Sequence, residues 1–399
     1  MNKFFSLKQN LNRTVLILIG IVLVWYRCYL YSGIAPFWDL IDKISYGLFF
    51  VMLFYSFKEI SFSRHKYPTL ILISTFISAT IAVIFWNESA FREFGAMHNY
   101  QLVLVYFILC KLKADNVDVE RALVILALIY VCCWIYQVSK VPEMIFGADH
   151  DTDISNTESR GFFRFFIPTK ENMPLLSLFA YELYRRTKKT IYLAFVPICF
   201  LIVILHVGRQ MIAWSFVSIF LLLLYHNRKK WKGLVVVAVA LYFVGNILIE
   251  NVPTLNLLFD KTATQLDSAE DDIRTACIKY YLENSIANPF TFLFGNGLGA
   301  DGQLYAFTQR SLTFGFYESD IGFVALLFDF GLFGVLIYLM LFFHILRMPV
   351  EPKYIYLKCY IIYIYGSYIL AHNLTTNIFF NMCALYILFA SNKKCIIQN

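Results

Sequence analysis

The sequence predicts an all-α integral membrane protein, with about twelve transmembrane helices forming one polytopic domain over residues 1–399. Three observations carry that expectation. Apolar and aromatic residues make up 59% of the chain and charged residues only 15%, against about 25% charged in an average soluble protein. The shortage of charge is concentrated in long apolar runs rather than spread along the chain. Lysine and arginine gather in alternate connections between those runs, as the positive-inside rule requires. A water-soluble enzyme is excluded, because there is too little polar surface to clothe it.

Apolar runs near the roughly 17–25 residues that a span needs fall, in order, at 14–33, 40–57, 68–86, 96–110, 121–139, 173–184, 190–207, 210–226, 233–250, 321–346, 354–371 and 374–391. The first follows Lys3, Lys8 and Arg13 with no small-residue cleavage site behind it, so it reads as a retained signal anchor. Placing the N-terminus inside puts 22 of the 34 lysines and arginines in inner segments, among them Arg64, Lys111, Arg185, Arg186, Arg228 and Lys394. About 20 of the 27 acidic residues fall on the outer side instead. Both termini are then cytoplasmic. The formal charge of +7 is topogenic rather than a nucleic-acid footprint, and an anion bound outside must be held by individual arginines.

Two connections, 140–172 and 251–320, are too long to be turns, and both face outward. In the second, Ser268-Ala-Glu-Asp271 resembles a capping box, and Ile273, Cys277, Tyr280, Tyr281 and Asn284 recur at helical spacing as far as Pro289. That pattern predicts an amphipathic helix at the outer membrane–water boundary. The following Phe294-Gly-Asn-Gly-Leu-Gly299 reads as a tight turn returning the chain to the membrane. A dinucleotide fingerprint needs a preceding strand in a βαβ unit, which is missing here. The nine cysteines include no CxxC pair and no Cys/His ligand spacing, so neither metal nor cofactor is expected.

The residues that could carry chemistry lie on the outer side. Arg209, in His206-Val-Gly-Arg-Gln210, sits between two spans with almost no loop, at or just below the interface. An arginine at the bilayer centre costs at least about 2.5–3.5 kcal/mol, so a polar cavity suits it, with a snorkelling anchor as the plainer account. Arg274 lies on the amphipathic helix one turn after Glu270, where an exposed ion pair worth about 0.3–0.5 kcal/mol is the plain alternative. Arg160 and Arg164 alternate with aromatics in Glu158-Ser-Arg-Gly-Phe-Phe-Arg-Phe-Phe166, a pattern that an interfacial aromatic belt also explains. Glu318 and Asp320 stand at the start of the tenth span, where helix capping is the ordinary role. Asp329 lies about two and a half turns further, within the span, and an acid there is a functional candidate. His372-Asn373 marks the outer end of the eleventh span.

In order and sidedness, these parts resemble the bacterial family of O-antigen ligases, O-antigen polymerases and capsular-repeat polymerases. The resemblance spans about residues 155–340. It rests on Arg160-Gly-Phe-Phe with Pro168 and Asn172 before a span, Gly208-Arg209 at an outer hairpin, Arg274 on a helix leading to Pro289 and Gly295-Asn-Gly-Leu-Gly299, then Glu318-Ser-Asp-Ile-Gly322 and Phe330-Gly-Leu-Phe-Gly334. It implies an enzyme of the bacterial inner membrane that moves a glycan from an undecaprenyl-diphosphate carrier to an acceptor hydroxyl at the periplasmic face, with no nucleotide or metal. It also implies a chain-length regulator as partner. The family's paired arginines map onto Arg209 and Arg274, with Arg160 a third diphosphate ligand. Aligning on Gly331 and Gly334 puts Asp320 where the ligases carry a histidine, so the acidic Ser-Asp-Ile-Gly resembles the polymerases. Asp320, Glu318 and His372 are then, in that order, the candidates for taking the acceptor proton. A ligase acting on lipid A core, a lipid-linked-sugar flippase or other transporter, and an inert scaffold for envelope assembly are the competing readings.

Overall fold

The computed structural model describes residues 12–147, 158–159, 162–163, 165, 167–170, 172–205, 209–228, 232, 273–286, 288–369 and 377–397. These residues are almost entirely helical. The main helices are α1 (Arg13–Trp25), α2 (Trp38–Ser56), α3 (Lys66–Phe85), α4 (Ala90–Ala96), α5 (Leu104–Leu112), α6 (Asn116–Ser139), α7 (Asn172–Thr187), α8 (Ile191–Leu205), α9 (Arg209–His226), α10 (Ile273–Ile286), α11 (Pro289–Phe294), α12 (Gln303–Thr313), α13 (Phe323–Arg347), α14 (Ile355–Ser367) and α15 (Ile378–Ile397). The exception is a two-residue antiparallel ladder in the 140–172 connection, where the sequence predicts no element. There β1 (Glu158–Ser159) pairs with β2 (Phe162–Phe163).

Among the described residues four stretches, Ser32–Glu59, Lys66–Phe85, Asn116–Ser139 and Phe323–Arg347, are long and apolar enough to cross a membrane. At 1.5 Å per residue the 24 residues of α6 extend about 36 Å, more than the roughly 30 Å of a bilayer's hydrocarbon core. Arg13–Trp25, Ile191–Leu205, Gln210–His226 and Ile378–Asn392 are shorter apolar helices. The chain is therefore an all-α membrane protein in its broad character. Every predicted run contains helix except 233–250, which lies outside the described residues. Two runs are more broken than the hydropathy suggests. The first ends at Trp25, where Arg27–Leu30 adopt positive φ. The 96–110 run is a 3-10 turn over Met97–Val103 followed by α5, because its polar side chains seek partners: His98 reaches the Ser45 hydroxyl at 2.7 Å and Gln101 donates to the Phe94 carbonyl at 2.8 Å.

Packing follows the apolar faces. α3 buries Ile71, Leu72, Ala79 and Ala82 and packs against α13, while α14 is nearly all buried among α7, α9 and α13. Phe54 and Phe91 are more than three-quarters exposed, a surface suited to hydrocarbon rather than to water. α3 and α13 run antiparallel. Tyr67, at the start of α3, stacks on His344 near the end of α13, with ring centroids 5.0 Å apart. At the same end as these residues, Arg186 joins the end of α7 to Glu120 at the start of α6. The opposite end carries α4, α10, α11, α12 and the glycine-rich segment. It is called the loop-bearing end below.

The amphipathic helix appears as α10, with Cys277, Tyr281 and Ser285 buried at four-residue spacing. Tyr281 packs edge-on against Phe328 of α13, 5.0 Å between centroids. Ile273 lies on the exposed side instead, and the expected capping sequence at 268–271 lies outside the described residues. α11 starts as Asn288-Pro289 dictates: the Asn288 side chain accepts from the Phe290 amide at 2.9 Å and proline fills the first helical position. The sequence reading had missed both α11 and α12.

Candidate functional site

The loop-bearing end is organised by two buried acids, Glu88 and Glu93, which sequence reasoning passed over. Glu88 follows α3 and Glu93 lies on α4; both are essentially buried, at 4% and 0% exposure. Across from them runs the segment Asn296–Tyr305. Glu88 Oε2 accepts from the amides of Ala300, Asp301 and Gly302, each at 2.8 Å. Its Oε1 accepts from Leu304 at 2.9 Å and Tyr305 at 3.1 Å. Glu93 accepts from Leu298 at 2.8 Å and Gly299 at 3.1 Å. Seven backbone donors, five in the irregular segment before α12 and two in the first turn of α12, are thus satisfied by two side chains. The Ser89 amide donates to Asp301 at 2.9 Å, and Arg92 stands 3.5 Å from the same carboxylate.

The two acids respond differently to this cradle. Burial pushes Glu88 upward, but the amides of Asp301, Ala300, Gly302 and Tyr305 outweigh it and hold the carboxyl below its ordinary 4.5. For Glu93, burial dominates over the two amides, and the charges of Glu88 and Asp301 add to it. Its carboxyl is pushed up to about 7.

The same segment mends a break in α13. Gly331 has φ +66° and ψ −176°, so the helix is interrupted two residues after Asp329. Asn296 donates to the Phe328 carbonyl through its amide at 2.8 Å and its side chain at 3.0 Å. The Asp329 carbonyl takes the Gly297 amide at 3.2 Å and the Ser78 hydroxyl of α3. Trp86 fixes Asn296 in turn, its indole N–H meeting Oδ1 at 2.9 Å. Broken helices are tolerated in a membrane only where protein groups satisfy the freed backbone in this way. The glycines are required by closeness. A Cβ on Gly295 (φ +89°) would lie 2.1 Å from the Asp329 carbonyl oxygen, and one on Gly331 would lie 2.4 Å from the Gly295 nitrogen. The expected tight turn is therefore a packing device that reaches both α13 and α4.

Glu318 and Asp320 form a 3-10 turn ahead of α13. Neither caps that helix, contrary to the ordinary role expected of acids there. Its N-cap is Gly322, with φ +49° and no side-chain cap bond, and this kink turns the acids away from the helix N-terminus. α10 leans on the turn: Cys277 donates to the Tyr317 carbonyl at 3.8 Å. Burial, followed by the charges of Asp320 and Glu318, pushes the Cys277 thiol up to about 11. Arg274 is exposed one turn earlier on the same helix. Thus the helix carrying one predicted diphosphate ligand is packed against the turn carrying two predicted proton acceptors. Arg209 is the first residue of α9, at the junction expected for it. Arg160, Arg164 and His372 lie outside the described residues.

No protein-family model matches the chain, and no curated protein sequence matches it. Beside the Gly299–Ala300 backbone lies an apolar groove of ≈ 810 Å³ between α2, α3 and α4, walled by Phe49, Phe50, Phe76 and Phe94, with Arg92 among its lining residues. Among the described residues no group of three or more His, Cys, Asp or Glu side chains could hold a metal ion. The arrangement offers a cation, two carboxylates and an apolar groove at one end of an apolar helical bundle.

Proposed function

We propose that this chain polymerises undecaprenyl-diphosphate-linked oligosaccharide repeat units, of O-antigen or capsule type, at the outer face of a bacterial inner membrane, with both termini and the Arg186 end inside. The observation that carries this reading is the packing of the Arg274 helix, through Cys277, against the Glu318–Asp320 turn. An acceptor sugar hydroxyl attacks the anomeric carbon of the donor glycan. The new glycosidic C–O bond forms as the bond to the diphosphate breaks, and the electron pair leaves on the diphosphate. Arg274 and Arg209, with Arg160, meet that developing charge; guanidinium groups stay protonated and bind phosphate bidentately. The hydroxyl proton passes to Asp320 or Glu318 as general base. The groove beside Gly299 takes the polyprenyl tail.

The test is chain growth by the purified full-length protein given undecaprenyl-diphosphate repeat units. The wild type builds a ladder, Arg274→Ala abolishes or nearly abolishes it, and Arg274→Lys rescues it poorly because a point charge cannot reproduce the fork. A full ladder from Arg274→Ala would sink the proposed arginine role.

A second reading is favoured by one feature, the interruption of α13 at Gly331 beside buried Asp329, since discontinuous helices line the sites of many transporters. Translocation of the carrier-linked sugar without new bonds in the same assay would select this reading over the first.

A further inference from the structure

Where the Glu318 turn meets α13, two carboxyl groups face each other: Glu318 interacts directly with Asp329. Asp329 is wholly buried, at 0% exposure. Its Oδ2 accepts from the Tyr100 hydroxyl at 3.3 Å. Among the described residues its Oδ1 has no hydrogen-bond partner, and neither does the buried Oε1 of Glu318. The nearest donors are already committed, because the Ser78 hydroxyl serves the Asp329 carbonyl and the Asn296 side chain serves the Phe328 carbonyl.

Among the described residues, the other titratable groups that act on Asp329 supply no positive charge. They include Tyr100, Glu93 on α4, Tyr281 on α10 and Tyr368 beyond α14, while Cys277 of α10 faces Glu318. Two adjacent carboxylates, one of them wholly buried, cannot both ionise without cost, and a buried acceptor without a donor costs roughly 1–3 kcal/mol. A single proton answers both demands: it removes one charge and turns one acid into a donor for the other.

We propose that Glu318 and Asp329 bind one shared proton, forming a proton-binding site at the break in α13. The proton comes from the aqueous phase, and the occupied site carries one negative charge. No bond other than the O–H is made or broken. The proposal does not depend on glycan transfer, because the site serves an enzyme that must accept a hydroxyl proton and a proton-coupled carrier alike.

The test is infrared difference spectroscopy on the full-length protein in lipid vesicles at neutral pH, comparing wild type with Asp329→Asn and with Glu318→Gln. Each amide supplies the missing N–H donor at nearly the original size, so the remaining acid ionises. Both differences should show the loss of one protonated-carboxyl C=O stretch with the number of carboxylates unchanged, because each variant keeps one ionised acid. Three results would overturn the proposal: no protonated-carboxyl loss in either difference, loss in Asp329→Asn with Glu318→Gln retaining the full band, which means Asp329 is protonated by itself, or the converse. Should Asp329→Asn fail to fold, the Glu318→Gln variant, whose acid is only half-buried, still overturns the proposal if it retains the full protonated-carboxyl band, and Asp329→Glu, which must keep that band, replaces the first variant.

Discussion

The two ends of the molecule bury acids by opposite means. At one end Glu120 and Glu182, whose side chains are 1% and 3% exposed, share Arg186, which stands 3.5 Å and 3.3 Å from them and also bonds the Lys353 carbonyl. Tyr356 adds a hydrogen bond to Glu120 at 2.7 Å, and His226 meets Glu182 at 3.0 Å. At the loop-bearing end Glu88 and Glu93 are instead held by the backbone amides of Leu298–Tyr305. The difference is one of purpose. A cation spent on a structural acid is neutralised, whereas amides that must be satisfied anyway stabilise the carboxylate without consuming a guanidinium. Under the proposed function, an end that receives an anionic diphosphate is better served by the second device. The amide cradle also ties the glycine-rich segment to α4, while Asn296 and Gly297 of the same segment bond the carbonyls at the break in α13.

Breaking the arginine device should give the largest effect. Arg186→Ala leaves two buried carboxylates without their shared cation, which costs about 3–5 kcal/mol. Thermal unfolding in detergent should record it, and a midpoint unchanged from wild type would mean that the network is idle. Gly297→Ala strikes the other end. Its Cβ would lie 2.5 Å from Glu93 Oε1 at a φ of +86°, costing about 1–3 kcal/mol. Limited proteolysis should then nick the 296–305 segment while leaving the Arg186 end intact, and unaltered resistance there would count against the cradle.

Glu93 and Glu88 should separate by the sign of their pH dependence. Burial raises Glu93 to about 7, so the folded state holds its proton more tightly than the unfolded state does. The stability it contributes is complete below its ordinary 4.5 and is lost as the pH rises through about 7. Glu93→Gln should remove that slope between pH 5 and 8. Glu88 is lowered, so its contribution is present above 4.5 and is lost only as the pH falls through its depressed value. If melting temperatures of wild type and Glu93→Gln run parallel between pH 5 and 8, Glu93 is not buried as described.

The smallest stability effect belongs to Asp320, which neither caps α13 nor joins either device. Asp320→Asn should shift unfolding by no more than about 0.5 kcal/mol. Loss of chain growth in that variant would therefore report chemistry. Retained growth, with Glu318→Gln inactive, would move the general base two residues back.

Much of this architecture was legible because it is local. Apolar runs set the helices, and the recurrence of Cys277, Tyr280, Tyr281 and Asn284 set the amphipathic α10; the start of α11 at Asn288-Pro289 is equally local but went unread. What could not be read depends on contacts across the fold. Glu93 and Glu88 meet their amide partners across 205–217 residues, and a carboxylate's partner cannot be inferred when the donor is backbone and carries no side-chain signature. That Glu318 and Asp320 do not take the plainer role of capping α13 has a smaller cause. One glycine at φ +49° separates them from the helix they were expected to cap. Arg274 was found from its helix; its neighbourhood with the Glu318 turn required the packing of Cys277.

The central claim is that Glu88 closes the glycine-rich segment onto α4, and amide hydrogen exchange over residues 296–305 tests it most directly. In wild-type protein the amides of Ala300, Asp301, Gly302, Leu304 and Tyr305 should exchange as slowly as those of a buried helix, although only the last two lie in one. Glu88→Gln, which keeps size but loses the charge, should speed their exchange by at least about tenfold, the equivalent of 1.4 kcal/mol. Arg186→Ala should leave them unchanged. Fast exchange in the wild type, or equal exchange in wild type and Glu88→Gln, would contradict the account.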